Sequence, residues 1–597
     1  MNTGETSKAD NLFVSGQKEQ AVEIYLEEIR KNNSLPEKSL QYLASFLIEK
    51  QLYKEAIDCH KALLEINYSN AITQHNIGYL YLQTCDIKAA IEHLNLAIEI
   101  DPGQPLFHYN LGNSYRLGSF KHEALDAYKK AISLDPNNGE YWSAIGSLQS
   151  MLKQNKEASE SFNKAIKSDP LNPLFQLNLS NHCLRLESFA EAINAAEAAL
   201  TLNPSLIEGY DLLAKALLET DKESDAVNAA LNGLAKAPQD QRLLITLFSA
   251  YNAKGEFNKA NKAIQMAFEI DPSNSDVLYN IARQKLTHQD FKLGWKHYEQ
   301  RWLINNEIWS NEYSSIMHSR PKWEGSKTTE RLILWPEQGI GDEVMFSSAI
   351  NDIFLLAPNL VVAVDARLLS LFRRSFHGSI RFVGKEESIS ALQEADQQAS
   401  IATALGLVRP HQNSFKIASK GYLKADKDHA DKIRTNVLKG ENKRMIGLSW
   451  TSKGSRIFNK GKCVSLKQLI GAFSALETTF VSLQYTDSKN EIKELQTTQG
   501  ITVIEMNDID LFHDVDGLTS VISACDEIVT VSNINAHIAG ALGIPCTVLL
   551  PMNCHWRWGR QGESCPWYQS VRLLRQIEPG NWNAPLEKLK QSFESRP

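Results

Sequence analysis

The first half of the chain repeats one pattern of apolar, small and polar positions every 34 residues. Small residues occupy one offset of each unit, at Ala90, Ala124, Ala158, Ala192, Ala226 and Ala260. A proline closes each unit, at Pro102, Pro136, Pro170, Pro204, Pro238 and Pro272. Small residues suit the close crossing of two antiparallel helices, and proline ends the second helix at the turn. The pattern therefore predicts an array of helix pairs.

A period of 34 residues with Gly, Tyr, Ala, Ala and Pro in this order resembles the tetratricopeptide repeat (TPR), which builds an α-solenoid. We count six repeats over roughly 71–308, the last one degenerate, one more at 37–70 and a worn first repeat within 1–36. The array is thus assigned to 1–308 and is clearest at 71–274. Its groove is expected to hold a peptide or protein segment. Alternatively, some repeats only brace the following domain.

The second half changes period and predicts a different fold. After a polar junction at 309–330, short β-rich runs alternate with helical stretches. The runs are Leu332–Trp335, Leu360–Val364, Met445–Trp450, Thr479–Gln484, Glu527–Val531 and Cys546–Leu550. This alternation predicts an α/β domain with parallel sheets. We expect two doubly wound units, at 331–435 and 436–597.

Composition narrows the class of protein further. Apolar residues make up 43% and charged residues 22%, as in an average soluble protein, and the net charge of -7 argues against a general nucleic-acid binder. The polar start, Met1 to Asp10, lacks the apolar core of a signal peptide, and no apolar run nears the ~18 residues of a membrane span. The eight cysteines form no C-x-x-C pair and are interpreted as reduced thiols. These features predict a cytoplasmic protein.

Ligands of such folds bind beyond the carboxyl ends of the strands, so polar residues at the strand ends are candidate ligand contacts. The first run ends in a Gly-x-Gly turn, with Gly339 and Gly341 flanked by Glu337 and Asp342. Glycines permit a close approach of the backbone to a ligand, and either carboxylate is a candidate general base. The alternative is that Asp342 only caps the following helix.

Two further strand ends carry candidate phosphate ligands. The loop after Trp450 contains four cations and no acid, and the loop after Val531 opens a helix with small polar residues and a histidine. Cations and free helix N–H groups both suit a diphosphate. With Gln484 at another strand end, the candidates are Lys453, Arg456, Lys460, Lys462, Gln484, Ser532, Asn533, Asn535 and His537. The alternatives are a solvated loop and a histidine that only packs.

The last candidate motif follows the strand Cys546–Leu550. Arg557 lies between Trp556 and Trp558, a combination that suits a nucleobase or sugar, although Trp567 and Tyr568 equally suit core packing. Cys554, His555 and Cys565 lack a fourth ligand and make poor evidence for a metal site.

Together these motifs resemble a known family. Trp335-Pro-Glu-Gln-Gly-Ile-Gly-Asp342, Ile446-Gly-Leu-Ser-Trp450, Asn535-Ala-His-Ile-Ala-Gly-Ala-Leu-Gly543 and Trp556-Arg-Trp558 resemble bacterial TPR-containing glycosyltransferases. Their C-terminal domain is similar to the heptosyltransferases of glycosyltransferase family 9. Members include flagellin glycosyltransferases whose TPR half recruits flagellin, and the architecture is also similar to the protein O-GlcNAc transferase.

The resemblance implies a GT-B fold of two Rossmann-like lobes that uses a nucleotide sugar and requires no metal. It also implies that Asp342 is the catalytic base. The family usually has Asp-Thr before the helix of His537, whereas this chain has Ser532-Asn533. Two hypotheses therefore remain from the sequence. One is an inverting protein O-glycosyltransferase, and the other is a TPR adaptor with a vestigial nucleotide-binding domain.

Overall fold

A computed structural model describes residues 3–31, 33–304, 319–415, 421–452, 461–473 and 478–594. The chain divides into two compact units, Met1–Ala216 and Leu217–Pro597. The first unit contains helical repeats, and the second contains further repeats followed by an α/β region. No helix within the described ranges is long and apolar enough to span a membrane.

Helix pairs fill both the first unit and the start of the second. The first helices of the pairs, α1 to α17 in odd numbers, are Thr3–Val14, Glu37–Glu49, Ala71–Gln83, Pro105–Leu117, Gly139–Met151, Pro173–Arg185, Ile207–Glu219, Gln241–Lys254 and Ser275–Thr287. The second helices, α2 to α18 in even numbers, are Lys18–Arg30, Tyr53–Ile66, Ile87–Ile100, Lys121–Leu134, Asn155–Ser168, Phe189–Leu202, Glu223–Lys236, Phe257–Ile270 and Phe291–Tyr298.

The spacing of the helices matches the sequence period, but the repeat count needs a correction. The described residues hold seven pairs between Ala71 and Tyr298, one more than the six repeats counted there. Six prolines separate seven units, and the last pair has no proline after it. The pairs at 3–30 and 37–66 match the two worn repeats expected before them.

Local chemistry explains where these helices begin and end. Asparagine and aspartate side chains accept a backbone N–H at several helix starts, as Asn70 does from Thr73 and Asp86 does from Ala89. The second helix of that pair ends before Asp101, which has extended backbone, and Pro102 cannot continue it.

The α/β region holds two separate parallel sheets. Strands β1 to β10 are Leu332–Trp335, Leu360–Ala363, Arg381–Val383, Gln397–Ser400, Arg444–Ser449, Thr478–Ser482, Val503–Ile504, Glu527–Val531, Cys546–Leu550 and Val571–Arg575. The first sheet has the order β3-β2-β1-β4 and the second β10-β9-β8-β5-β6-β7. The prediction of an α/β region with parallel sheets is confirmed, and all six predicted strands are present.

Helices connect these strands and cover buried apolar side chains. Helices α19 to α29 are Ile340–Phe346, Ile350–Leu356, Leu369–Ser375, Lys385–Glu394, Ile401–Val408, Lys427–Leu438, Leu466–Ile470, Lys489–Gln499, Val515–Ala524, Ile534–Leu542 and Asn583–Glu594. One continuous apolar core includes Trp295 of α18, Leu334 of β1 and Trp558. The last helix pair therefore shares its core with the α/β region.

Candidate functional site

The candidate residues lie where the strand order of each sheet reverses. In the first sheet, β1 lies between β2 and β4, so the chain leaves β1 in one direction and later returns on the other side. In the second sheet, β5 lies between β8 and β6 and has the same property. A crevice opens at the carboxyl ends of the strands at such points, and ligands bind there in α/β folds. The loops after β1, β5 and β8 carry the motifs selected from the sequence.

Glu337, one of the two proposed catalytic carboxylates, is held in a buried ion pair. Its two oxygens accept hydrogen bonds from Nε and Nη2 of Arg301, at 2.7 and 2.9 Å. Its Oε1 also accepts from the backbone N–H of Ala402. Arg301 is 0% exposed and also donates to Ser400 and Thr403. This geometry commits both oxygens of Glu337 to anchoring the β1 loop, which favours a positioning role over that of a base.

Asp342 lies in a different environment, in the first turn of α19. Its Oδ1 accepts a hydrogen bond from Nε of Arg557, although 215 residues separate the two. Arg557 also donates to Gln338 and contacts the ring of His555. Gln338 in turn donates to the hydroxyl of Tyr298, in the last helix pair. A polar chain thus connects the repeats to Asp342.

The electrostatics of Asp342 suit a proton acceptor. Burial raises the pKa of Asp342 above its ordinary value, while the Arg557 guanidinium and the Gly339 backbone act in the opposite direction. Its side chain remains 15% exposed, so it is still accessible from outside. A carboxylate with a raised pKa accepts a proton more readily at neutral pH.

The structure brings Asp342 and His537 to the same place. A Cβ atom added to Gly341 would lie 3.4 Å from Cδ2 of His537, so the two loops touch. A Cβ at Gly339 would meet nothing within 4 Å, which leaves space beside the turn.

His537 is buried among aromatic rings. It stacks on Trp558 with a centroid distance of 4.8 Å, and its Nδ1 lies 3.0 Å from the hydroxyl of Tyr568. Burial and the charge of Arg557 lower the pKa of His537 to about 3, so the ring is neutral. These contacts favour the packing interpretation: His537 holds α28 against the Gly341 turn.

The polar residues around the β8 loop mainly organise the backbone. Asn533 caps α28 by accepting from the N–H of Asn535, and its amide donates to Ser449. Ser532 accepts from the indole of Trp558. Gln484 accepts the N–H groups of Trp450 and Thr451 and so ties the β5 loop to β6.

Asn535 is the exception in this group. Its amide donates to the carbonyl of Leu483, but its Oδ1 is buried without a hydrogen-bond partner among the described residues.

Of the four loop cations, Lys453, Arg456 and Lys460 lie outside the described residues. Lys462 is described, and burial and the charge of Arg557 lower its pKa to about 8. The preceding Gly461 offers its carbonyl to Gln576, which fixes the end of the loop. At least one of the predicted cations is therefore close enough to Arg557 for their charges to interact.

Two residues that contact Arg557 were not predicted as site residues from the sequence. Gln338 and His555 complete the contacts of Arg557, although neither was selected as a site residue. Gln338 directly precedes Gly339 of the Gly-x-Gly motif, which is the sequence signal that could have found it. The structure gives it a φ of 65°. Trp567 donates to the carbonyl of Arg557 and is buried, so it supports that loop from the core.

Within the described residues, no group of three or more His, Cys, Asp or Glu side chains has the geometry to hold a metal ion. The thiol of Cys554 contacts the carbonyl of Gly559.

Comparison with known proteins identifies the repeats. Residues 71–104 and 107–138 match one model of the tetratricopeptide repeat, and residues 152–207 match another. The chain is 26% identical over 438 residues to Protein FlbA of Caulobacter vibrioides, covering 69% of this chain and 71% of that protein.

Some solved structures with similarity to this chain are of TPR proteins. One is YrrB, a TPR protein with an unusual peptide-binding site, with 21% identity, coverage of 32% of this chain and 99% of that chain, and a TM-score of 0.27. Another is a TPR protein of Parabacteroides merdae, with 17% identity, coverage of 41% and 96%, and a TM-score of 0.37. From the family matches, the chain carries TPR repeats, which imply a role in protein interaction.

Proposed function

We propose that this protein is a glycosyltransferase that moves a sugar from a nucleotide-activated donor to a protein acceptor recruited by its TPR repeats. The acceptor is flagellin or another surface protein. The two parallel sheets are then the two Rossmann-like lobes of a GT-B fold. The sheet of β1 contributes the base, and the sheet of β5 and β8 binds the donor.

One observation carries this proposal: a carboxyl with a raised pKa adjoins the donor-side loops. Asp342 contacts Arg557, and the adjacent Gly341 contacts His537 at the start of α28. A metal-independent transfer requires a base and a group that stabilises the leaving phosphate. In this proposal one sheet provides the base, and the other provides a helix start with nearby cations. Lys462 adds a second cation whose charge reaches Arg557.

The reaction assigns one role to each part of this site. The Asp342 carboxylate removes the proton of a serine or threonine hydroxyl, and that oxygen forms a bond to the anomeric carbon. The bond from this carbon to the phosphate oxygen breaks, and its electron pair stays on the phosphate. Lys462 and backbone N–H groups at the start of α28 stabilise that charge. The sugar inverts its configuration because the hydroxyl attacks the face of the anomeric carbon opposite the departing phosphate. The unpartnered Oδ1 of Asn535 is a candidate acceptor for a donor hydroxyl.

A second candidate function is a TPR adaptor with a vestigial nucleotide-binding region. The observation that favours it is the engagement of the donor-side residues in internal bonds. The side chains of Ser532, Asn533 and Gln484 all form hydrogen bonds with the backbone or with neighbouring side chains. The two functions differ in whether any nucleotide sugar is consumed.

The first test is a panel of nucleotide sugars added to the full-length protein. We expect one donor to raise the melting temperature, and that donor is then incubated with the protein and flagellin from the same organism. Transfer appears as a mass increase of the acceptor by one sugar. If no donor binds and no acceptor gains mass, the adaptor is the better description.

The second test is Asp342→Asn, which keeps the size of the side chain but removes the base. Transfer should fall by roughly two to four orders of magnitude, because general-base catalysis contributes about that much. The matched control is Asp426→Asn at the start of α24, where the new amide still caps the helix. Donor binding should stay unchanged in both variants. Full transfer by Asp342→Asn would remove Asp342 from the mechanism.

A further inference from the structure

A cavity beside the Asp342 site lies within the second unit, between the last repeats and the loop after β9. Its lining residue His555 contacts Arg557 of that site. Its volume is about 160 Å³, enough for a carboxylate or phosphate group with a few waters. The lining residues from the repeats are Phe248, Ser249, Asn252, Phe257, Asn261, Arg283, Gln284, Thr287 and His288. The lining residues from the loop are Asn553, Cys554, His555, Trp556 and Arg560. Asp342, Lys462 and the residues at the start of α28 do not line it.

The cavity carries positive charge without a carboxylate. Arg283 and Arg560 line it together with His288 and His555, and none of the described lining residues is Asp or Glu. Burial lowers the pKa of His555 well below its ordinary value, and the charges of Arg557, Arg283 and Lys462 contribute. Burial similarly lowers the pKa of His288, with a contribution from Arg560. Positive charge in a cavity whose described lining contains no carboxylate favours an anionic ligand.

Arg560 is the strongest sign of a missing anion. Its Nη2 is buried without a hydrogen-bond partner among the described residues. Burial lowers the pKa of this guanidinium to about 10. The guanidinium lies over the ring of Phe257, and such a contact offers no acceptor in the plane of the N–H donors. Buried polar groups of this kind normally have a partner, so the site is incomplete without a ligand.

The walls of the cavity are held in fixed positions by close backbone contacts. A Cβ atom added to Gly255, at the end of α15, would lie 2.3 Å from Cε of Met552. A Cβ at Gly559 would lie 3.0 Å from Nε2 of Gln289. The loop after β9 therefore packs closely against the repeats near the cavity.

We propose that this cavity binds an oxyanion, either a carboxylate or a phosphate, through the guanidinium of Arg560. The planar guanidinium suits bidentate contact with two oxygens, and the side-chain amides of Asn252 and Asn553 supply further donors. The carboxylate source is an acidic side chain of a peptide bound by the repeats, and the phosphate source is a free or nucleotide phosphate. This site does not depend on the proposed transferase activity, since its readout is binding alone.

Isothermal titration of the full-length protein tests the proposal. The probes are inorganic phosphate, a short peptide with one glutamate, and the same peptide with glutamine. We expect phosphate or the glutamate peptide to bind, the glutamine peptide not to bind, and Arg560→Gln to weaken binding at least about tenfold. The control is Arg572→Gln, which removes a guanidinium paired with Glu563 on the surface and should leave binding unchanged. The probe that binds identifies the source of the anion.

The proposal is overturned if neither anion binds the wild type, or if folded Arg560→Gln binds as tightly as the wild type. Should Arg560→Gln fail to fold, Arg560→Lys keeps the charge but loses the bidentate fork and should still weaken binding. Equal binding by a folded Arg560→Lys would also contradict the role given to the guanidinium. Where both anions bind, phosphate should displace the glutamate peptide. Independent binding of the two would exclude a single shared site.

Discussion

At the scale of single residues, the basicity of Asp342 results from two opposing effects. Burial disfavours the charged carboxylate and raises the pKa, whereas the guanidinium of Arg557 favours the charged form and lowers it. Burial is the larger effect, so the pKa stays above the ordinary value. Arg557 therefore limits how far the pKa of Asp342 rises, in addition to orienting the carboxylate.

Replacing Arg557 should change the pH dependence of transfer. In Arg557→Gln the opposing charge is gone, so the pKa of Asp342 rises further. A general base acts in its ionised form, which is present above its pKa. The acidic limb of the kcat/KM profile should therefore move to higher pH. The measurement is transfer rate against pH for the wild type and the variant.

The control for this prediction is Arg572→Gln, whose pH profile should match that of the wild type. Movement of the limb to lower pH, or no movement, would show that Arg557 does not control the proton on Asp342. A loss of rate that is uniform across pH would point to donor binding as the main role of Arg557.

Only part of this residue network is accessible to sequence reasoning. Asp342 and Arg557 each belong to a recognisable motif, but their ion pair joins positions 215 residues apart and depends on the fold. Glu337 remains a candidate base from the sequence, which does not reveal that Arg301 donates to both of its oxygens. In the same way, the sequence could not show that His537 would be enclosed by Trp558 and Tyr568.

At the scale of elements, long periodic segments were predictable and short strands were not. The first helices of the repeats begin every 34 residues from Thr3 to Ser275, as the spacing of the prolines indicates. The strands Arg381–Val383, Gln397–Ser400, Val503–Ile504 and Val571–Arg575 escaped prediction. The first three contain few residues, and two of these begin with polar side chains. Each of the three short strands pairs in parallel with a neighbouring strand, which holds it in the sheet.

Close helix crossing in the repeats gives a prediction at this scale. A Cβ added to Gly112 in α7 would lie 2.6 Å from ring atoms of Tyr128 in α8, so a side chain there forces the helices apart. Gly112→Val should destabilise this pair by about 1–3 kcal/mol. Hydrogen–deuterium exchange of peptides from α7 and α8 measures this, and exchange should accelerate by about 5- to 100-fold.

The matched control is Gly103→Val in the preceding turn, where the nearest atom to an added Cβ is 3.5 Å away. Exchange in α7 and α8 should stay close to that of the wild type in this variant. Equal exchange in the two variants would mean that the crossing has room for a side chain at Gly112.

At the scale of the whole molecule, the boundary between compact units does not coincide with the change of sequence period. The sequence places the end of the repeats near 308, whereas the second unit already begins at Leu217. The reason is physical: Phe291 and Trp295 of the last pair share a core with the α/β region, and Gly255 touches Met552. The last repeats are thus part of the structure that supports the candidate site.

This boundary predicts how truncations behave. A chain of residues 207–597 keeps α13 whole and retains the complete second unit, so it should fold and bind the nucleotide sugar as the full chain does. A chain lacking residues 1–270 loses all of α15 and α16, including Phe248 and Phe257, and should be poorly folded. Circular dichroism and thermal shift with the donor distinguish the two truncations.

Because the first unit carries the repeats that match the TPR models, 207–597 should modify the protein acceptor far more slowly while still hydrolysing the donor slowly. Transfer by 207–597 at the rate of the full chain would show that the first unit does not recruit the acceptor.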